Sequence, residues 1–355
     1  MNFSSGFSLA RHILRANLGW NPKPYKLTWA VTWRCNSRCR ACRIWQTNPG
    51  AELAPEELQR LLRHADDLAW IDLTGGEPFL RPDLAELTAV ILERFPHLYH
   101  LHLPSNGVAP DLVIRGIEAI LAQKPNFLTI TLSLDGPPER HDALRGVAGN
   151  WRDTLAIYRH FAAHPRPNLR LFFGFTLSAF NAGMLADAMR AVQEALPGTD
   201  HRQWHLNLAH HSHYYQNTGV VLRDPASEAL MPGDLDRLRL AKRRDWFDPV
   251  ALLERLYLAR AKAFLRTRAT PLPCQALRAS LFMTPDGTCH PCSIWEFSLG
   301  NVREFGYDLR ALLEGARARE ARERIRAGDC PQCWTPCDAI PTILGHILHP
   351  WAFFR

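Results

Sequence analysis

The sequence predicts an α/β fold: an incomplete parallel barrel of six βα units, followed by a small cysteine-rich domain. Three observations carry that prediction. Apolar runs of four to eight residues alternate with amphipathic stretches across residues 27–208, which is the rhythm of repeated βα units. A helical stretch at about residues 233–267, then a break at Pro271 and Pro273, separates this region from the tail. Six of the nine cysteines fall after that break. The chain therefore divides into an amphipathic segment at 1–25, a barrel at 26–210, a helical linker at 211–270 and a cysteine-rich tail at 271–355.

The elements follow in order. The first strand is expected at residues 27–33. A helix is expected at 55–69, because Pro55 suits a first helical turn, Glu56 and Glu57 favour its positive end, and Leu58, Leu61, Leu62, Ala65 and Leu68 form one stripe. Further strands are expected at 70–74, 98–103, 127–134, 169–177 and 203–208. The helices between them are expected at 82–95, 111–123, 151–163 and 182–196, with Asn181 capping the last. In a parallel barrel the reacting groups gather at the carboxyl ends of the strands, so the residues just after each strand are the candidate site.

The first such stretch is CNSRCRAC, with Cys35, Cys39 and Cys42. A four-iron cubane normally takes four thiolates, so three leave one iron open to an exchangeable molecule. A zinc site is the alternative, but zinc wants four closed ligands, and no second CxxC pair follows Cys42 within the next hundred residues. After the second strand come Gly75, Gly76, Glu77 and Pro78, where two glycines would let a ligand approach the backbone. The third strand ends in Pro104, Ser105, Asn106 and Gly107, first of all a turn-forming pair. The fourth ends in Ser133, Leu134, Asp135 and Gly136, followed by His141, Asp142, Arg145 and Gly146; a planar guanidinium at Arg145 suits a carboxylate. The sixth runs into Asn207, His210, His211, His213, Tyr214, Tyr215 and Asn217. Counting His205, that places four histidines within nine residues. This concentration reads as a substrate pocket, with His210, His213 and Tyr214 as candidates for proton transfer or for orienting a hydroxyl.

Together these strings resemble the CxxxCxxC, GGEP, S/TNG and SLDG…HDxxRG motifs of the radical S-adenosylmethionine (radical SAM) family. The resemblance covers about residues 26–210 and implies the same partial (β/α)6 barrel. It implies a 4Fe–4S cluster on Cys35, Cys39 and Cys42 whose free iron chelates the amino and carboxylate groups of S-adenosylmethionine. Reductive cleavage then gives methionine and a 5′-deoxyadenosyl radical that takes hydrogen from a substrate. The family's motifs imply that Gly75, Gly76, Glu77 and Pro78 hold the cofactor's amino group and that Ser105 and Asn106 lie near its adenosyl part. Ser133 and Asp135 are implied near ribose or substrate, Arg145 at the cofactor carboxylate, and Asn207 among the cofactor-binding residues. One departure is plain: the family commonly has an aromatic residue where this chain has Ala41, so the adenine contact falls to Ile44 or Trp45, or is weaker.

The tail resembles the SPASM type of auxiliary domain. Cys274, twelve residues, Gly287, four residues and Cys292 fit its opening, with Pro285, Asp286 and Gly287 as a hairpin turn. Cys330, Cys333 and Cys337 follow in CPQCWTPC. The family's full pattern has seven cysteines for two clusters; this tail has six, closer to the shortened twitch form. One auxiliary 4Fe–4S cluster is implied on Cys274, Cys292, Cys330 and Cys333, with Cys337 or Cys289 as substitutes, and no second auxiliary cluster. A zinc ribbon is the alternative. An auxiliary cluster implies an electron acceptor or a substrate ligand, and so a net oxidation or a cross-link.

Composition bounds the remaining readings. At 355 residues and 46% hydrophobic content, the chain can bury one full-size core and a small appended domain. Nine cysteines with no signal peptide point to a reducing, cytoplasmic setting. The net charge of +7 comes from arginines interspersed with acids, which reads as solvated faces and not as a nucleic-acid surface. Phe3, Phe7, Ala10, Leu14 and Leu18 form a helical stripe, and residues 343–354 are apolar, with Trp351, Phe353 and Phe354 at the tip. Packing against the barrel is the ordinary reading; a peripheral membrane contact or a lipid-like substrate is the sharper one. The substrate is expected to be a small polyol, a lipid-like molecule or a peptide, with an electron donor such as flavodoxin or ferredoxin. Some twenty-five residues precede the first strand, too few for the peptide-recognition domain of many peptide-modifying relatives, although such a domain can be a separate protein. A competing reading is a non-catalytic iron–sulfur or zinc protein that senses redox state or binds a partner.

Overall fold

The computed structural model describes residues 3–19, 23–65, 68–245, 247–349 and 351. Six parallel strands are laid down in sequence order: β1 (Lys26–Thr32), β2 (Trp70–Gly75), β3 (His100–Ser105), β4 (Leu128–Ser133), β5 (Leu169–Leu177) and β6 (Trp204–Leu208). Alternate residues of these strands have opposite fates. Leu27, Trp29, Val31, Ile71, Leu73, Leu101, Leu103, Ile130, Leu132, Phe173 and Phe175 join helix residues such as Leu58, Leu62, Ile91 and Ile117 in one buried core. Most intervening positions are polar, among them Lys26, Thr28, Asp72, His100, His102, Thr129, Thr131, His205 and Asn207. This is the partial (β/α)6 barrel, apolar towards its helices and polar within.

The tail does not stand apart. β7 (Ser280–Met283) runs parallel to β1 along its free edge, and β8 (Thr288–His290) and β9 (Gly300–Asn301) extend the sheet antiparallel, giving the order β6-β5-β4-β3-β2-β1-β7-β8-β9. The expected separate module therefore shares one sheet with the barrel.

Helices occupy Pro55–Arg63, Leu84–Arg94, Pro110–Ala122, Asn150–Ala163 and Leu185–Ala195, each within the expected stretch or a residue of it. A further helix, Pro138–Arg145, lies where only a motif loop was expected. The linker is two helices, Pro225–Ala241 and Pro249–Thr267, the second started by Asp248, whose carboxylate accepts from the Val250 N–H at 2.9 Å. Asn181 is not the cap of the following helix, which begins after Met184. Its side chain instead accepts from the Ser178 N–H and donates to the carbonyls of Asp135 and Thr176, tying the ends of β4 and β5.

The N-terminal helix, Phe3–Leu18, has the expected period but the opposite orientation. Ser5, Ser8, His12 and Asn17 are buried, while Phe7, Leu14 and Leu18 face outward. Asn17 joins the two chain ends: its amide donates to the Leu344 carbonyl at 2.7 Å and its carbonyl oxygen accepts from the Leu348 N–H at 3.0 Å. Phe353 and Phe354 lie outside the described residues, as does the side chain of Phe3.

Candidate functional site

The three-cysteine loop leaves the carboxyl end of β1 and is strapped on both sides. The Arg38 and Arg40 N–H groups donate to the carbonyls of Arg145 and Leu144, both at 2.9 Å, which docks the loop on the end of the Pro138–Arg145 helix. Gly146 closes that helix at φ 66°, and a Cβ there would lie 2.7 Å from the Arg38 carbonyl oxygen. On the other side, Arg43 N–H donates to the Tyr215 carbonyl at 2.8 Å, and the Asn217 amide donates to the Ala41 carbonyl at 2.9 Å.

Burial pushes the Cys35 thiol up to about 11 and the Cys42 thiol up to about 12, and neighbouring thiolates push both further. Hydrogen bonds from the Ser37 backbone and the Asn106 amide oppose this at Cys35, and the Ile44 backbone and the Arg145 charge oppose it at Cys42; the Asn106 amide lies 3.7 Å from the Cys35 sulfur and the Arg145 guanidinium 3.6 Å from that of Cys39. Half-buried thiols with donors aimed at them ionise when a metal replaces the proton. Among the described residues, no three cysteine, histidine or carboxylate side chains converge to hold one metal ion. A four-iron cluster takes one thiolate per iron, and the donor set fits that group.

Glu77 locks the next two strand ends together. Its buried carboxylate accepts from the Asn106 N–H at 2.6 Å, the Ser105 hydroxyl at 3.1 Å and the Phe79 N–H at 3.4 Å. Burial raises this carboxyl to about 7. The glycines before it serve a close approach of the chain's own backbone. A Cβ at Gly75 would lie 2.2 Å from the Thr32 carbonyl oxygen, and one at Gly76 would lie 2.1 Å from that of Arg34. Gly76 and Glu77 N–H groups donate to those same two carbonyls at 2.8 Å. The expected clearance for a ligand is thus, at these two Cβ positions, clearance for β1. Pro78 begins a short 3-10 turn and is buried.

Asp135 and Arg145 form an ion pair at 2.6 Å, and Asp135 also accepts from the Thr176 N–H at 2.8 Å. The Arg145 Nε is buried without a hydrogen-bond partner, as is the Asn207 side-chain oxygen on β6. Ser133 is half-buried at the end of β4. His141 accepts from the Asp135 N–H and points its other nitrogen at the Asn150 oxygen, 3.0 Å away. Asn150 in turn donates to the Asn106 carbonyl at 2.9 Å. Burial holds His141 down at about 4, so it is neutral in this chain of bonds from β4 to β3. Ile44 is buried and Trp45 is exposed beside Arg38, while Ala41 packs against the cluster of Ala209, Val220 and Leu222.

The polar loop after β6 is mostly a tie between barrel and tail. His210 is buried, with one ring nitrogen 2.8 Å from the Leu208 carbonyl and the other accepting from the Trp334 N–H at 3.0 Å. Burial lowers it to about 4. Both nitrogens are occupied by the backbone, which corrects the expectation of an open base. Tyr214 is likewise engaged: its hydroxyl donates to the Trp295 carbonyl at 3.3 Å and its ring packs on Phe282 and His290. Ser212 donates to the Ser293 carbonyl at 2.7 Å. His213 differs, being exposed and 3.2 Å from Glu296 of the tail.

In the tail, Cys274, Cys292, Cys330 and Cys333 influence one another: Cys274 bears on Cys292 and Cys333, Cys292 on Cys333, and Cys330 on Cys274. Cys289 is fully buried in the apolar core on β8, and none of the other cysteines bears on its thiol, which sets it apart from these four. Cys337 faces a different neighbourhood. Its carbonyl accepts from Lys26 at 2.7 Å, and its thiol, pushed up to about 12 by burial, is opposed by the charge of that lysine. Burial pushes the Tyr215 phenol up, and the charges of Cys337 and Cys42 push in the same direction.

Sequence reasoning missed the polar interior. Lys26 pairs with Asp72 at 2.9 Å, His102 lies 3.2 Å from Asp72 and 2.9 Å from Thr131, and Trp70 donates to Asp72 at 2.6 Å. Burial alone would raise the Asp72 carboxyl, but Lys26 and His102 hold it far below the usual range. The signal was present: KLTWAVT, WIDLT and HLHLP carry polar side chains at most of their alternate positions, Ala30 and Pro104 being exceptions, unlike strands buried in oil on both faces.

A model of the radical SAM superfamily matches residues 29–190, and a model of the SPASM iron–sulfur cluster-binding domain matches residues 274–338. The chain is 30% identical over 181 residues to pre-heme d1 synthase of Dinoroseobacter shibae, covering 49% of this chain and 41% of that protein. It is 23% identical over 326 residues to the antilisterial bacteriocin subtilosin biosynthesis protein AlbA of Bacillus subtilis, covering 87% of this chain and 66% of that protein. It thus spans from about two fifths to just under two thirds of the length of these relatives. Among solved structures, Streptococcus suis SuiB bound to S-adenosylmethionine superimposes with a TM-score of 0.59 at 14% identity, over 89% of this chain and 72% of that one. SuiB bound to its precursor peptide SuiA gives 0.53 at 14%, over 96% and 81%.

Proposed function

The chain belongs to the radical SAM superfamily and ends in a SPASM-type iron–sulfur domain, and on that premise we propose that it is an enzyme that abstracts a hydrogen atom from an unactivated carbon of its substrate. The observation that carries the reading is the strapped loop with three half-buried thiols and no fourth, beside an arginine with a free buried nitrogen. Cys35, Cys39 and Cys42 would hold a 4Fe–4S cluster, which when bound supplies reductive cleavage of S-adenosylmethionine to methionine and a 5′-deoxyadenosyl radical. The chain's own side chains position the reactants. Arg145, kept charged by Asp135, offers its free Nε to a carboxylate, and Asn207 offers an unpartnered oxygen to an amine or hydroxyl. Glu77 fixes Ser105 and Asn106 beside the loop. Of the three candidates for proton transfer, His213 is the accessible one.

Cys274, Cys292, Cys330 and Cys333 would hold one auxiliary 4Fe–4S cluster, supplying an electron acceptor or a substrate ligand, with Cys337 as the neighbouring thiol. A peptide is the favoured substrate class, because relatives named for bacteriocin biosynthesis and for binding a precursor peptide share this architecture. Anaerobic reconstitution should give about eight irons per chain, and strong reductant should release 5′-deoxyadenosine. Cys39→Ala should abolish that release. Cys292→Ala should still cleave the cofactor but form no product; normal turnover would remove the electron-acceptor role of the tail.

A second reading, in which the chain meets a lipid surface, is favoured by the outward stripe of Phe7, Leu14 and Leu18 and by exposed Leu348 and Trp351. Among the described residues, no helix is long and apolar enough to cross a membrane. Retention on anionic liposomes in a flotation gradient at moderate salt supports it, and recovery of all protein at the bottom ends it.

A further inference from the structure

The tail carries a cavity that the proposed chemistry does not use. It measures about 330 Å³ and is lined by Cys274 together with Arg278, Arg310, Arg322, Arg326 and Lys23. Glu314 is its one acidic lining residue, paired with Arg310 at 2.9 Å. Two features mark Arg278 and Arg322 as under-compensated. The Arg278 Nε is buried without a hydrogen-bond partner. Arg322 is shifted towards the neutral form by burial and then by the charges of Arg278 and Arg319. A concave surface with a strong excess of one sign attracts an opposite charge and raises its rate of encounter.

The position of the cavity says which anion it suits. Its wall includes Lys23 and Pro24, just before the amino end of β1, whereas the three-cysteine loop leaves the carboxyl end of that strand. A ligand here is at the wrong end of the sheet to be the molecule whose C–H bond is broken. It lies directly against Cys274, however, and the other side of the same cysteine group faces the barrel mouth. The residue after Cys292 accepts from Ser212, and the residue after Cys333 donates to His210. The tail cysteines thus stand between the mouth and the arginine-lined cavity.

We propose that this cavity, walled by Cys274, Arg278, Arg310, Arg322 and Arg326, is the docking site of an acidic one-electron carrier protein that reaches the tail cysteine group from the side opposite the substrate. The proposal rests on the reading of those cysteines as ligands of an auxiliary cluster. Carboxylates of the carrier enter the cavity, and bidentate arginine pairing orients the encounter.

The test is binding of a purified flavodoxin to the anaerobically reconstituted protein, measured by titration calorimetry at about 50 mM and about 300 mM salt. Wild type should bind at low salt and lose most of its affinity at high salt. Arg326→Glu, on an exposed side chain, should weaken binding about tenfold, and R310E/R326E by more. Thermal unfolding and dithionite-driven release of 5′-deoxyadenosine should be unchanged in both variants. Flavodoxin affinity equal to wild type in the double variant overturns the proposal. So does a wild type that ignores flavodoxin at low salt while inorganic pyrophosphate binds, which would make the cavity a small-anion site. Loss of dithionite-driven cleavage in wild type would strike at the radical SAM reading, not at the docking site.

Discussion

Glu77 shows how burial and hydrogen bonding compete to set the charge of a side chain at the candidate site. Its carboxylate gathers two backbone N–H groups and a hydroxyl, yet burial dominates and raises it from 4.5 to about 7. Between those values the folded chain keeps a proton that the unfolded chain releases. The stability linked to this proton is fully present below about pH 4.5 and is lost as pH rises through about 7, an effect of about 3 kcal/mol. Glu77→Gln should remove that component, so its denaturation midpoint without cofactors should fall less than wild type between pH 5 and 8. Parallel midpoints in the two proteins would show that the carboxyl is ionised throughout. His210 and Tyr214 teach the opposite lesson about candidates. Local sequence placed them in a polar cluster, but their partners, Trp334 and Trp295, lie 124 and 81 residues away. No local pattern reports whether a ring nitrogen is already taken.

At the scale of elements, the strand ends are bound to one another and not merely adjacent. Gly75 and Gly76 bring the end of β2 onto the backbone of the cysteine loop, Glu77 brings in β3, and the helix Pro138–Arg145 supports the loop from the side. Gly76→Ala would set a Cβ 2.1 Å from a backbone oxygen that cannot rotate away. It should cost about 1–3 kcal/mol and reduce iron bound at the three-cysteine loop, read as iron content and visible absorption of the reconstituted protein. Full iron loading would show that the loop relaxes freely. The strands were legible to within about two residues because an alternation of apolar and polar side chains runs through most of them, and in β3 and β6 burial alternates with it. Pro138–Arg145 was not, since only His141 and Leu144 of it are buried and the rest of its pattern is polar. β8 and β9 span three and two residues, too short to carry a period. The N-terminal helix was legible in period but not in facing, because Asn17 is held by hydrogen bonds to the other chain end and His12 packs on the Tyr25 ring, contacts outside the helix.

At the scale of the molecule, barrel and tail form one continuous sheet. β7 covers the edge of β1, Lys26 reaches from β1 to the Cys337 carbonyl and to Asp72, and Arg303 and Tyr307 of the tail grip Glu57 on the first barrel helix. A chain ending at residue 270 would bare the β1 edge and leave Lys26 with half its partners, so it should aggregate or be digested by protease where the full chain resists. A protease-resistant barrel from that truncation would mean that the tail is a detachable module after all. The division into barrel and tail was visible in cysteine placement and in the proline break; their fusion was not, because it depends on pairing between strands some 250 residues apart.

A cluster held by Cys35, Cys39 and Cys42 would keep one iron open for S-adenosylmethionine. Quantifying 5′-deoxyadenosine after dithionite reduction of anaerobically reconstituted protein tests it most directly. Release of that nucleoside by wild type and by Cys292→Ala, with none from Cys39→Ala, is the predicted result. Intact S-adenosylmethionine in all three, beside a metal centre fully ligated by protein at the 35–42 loop, would contradict it.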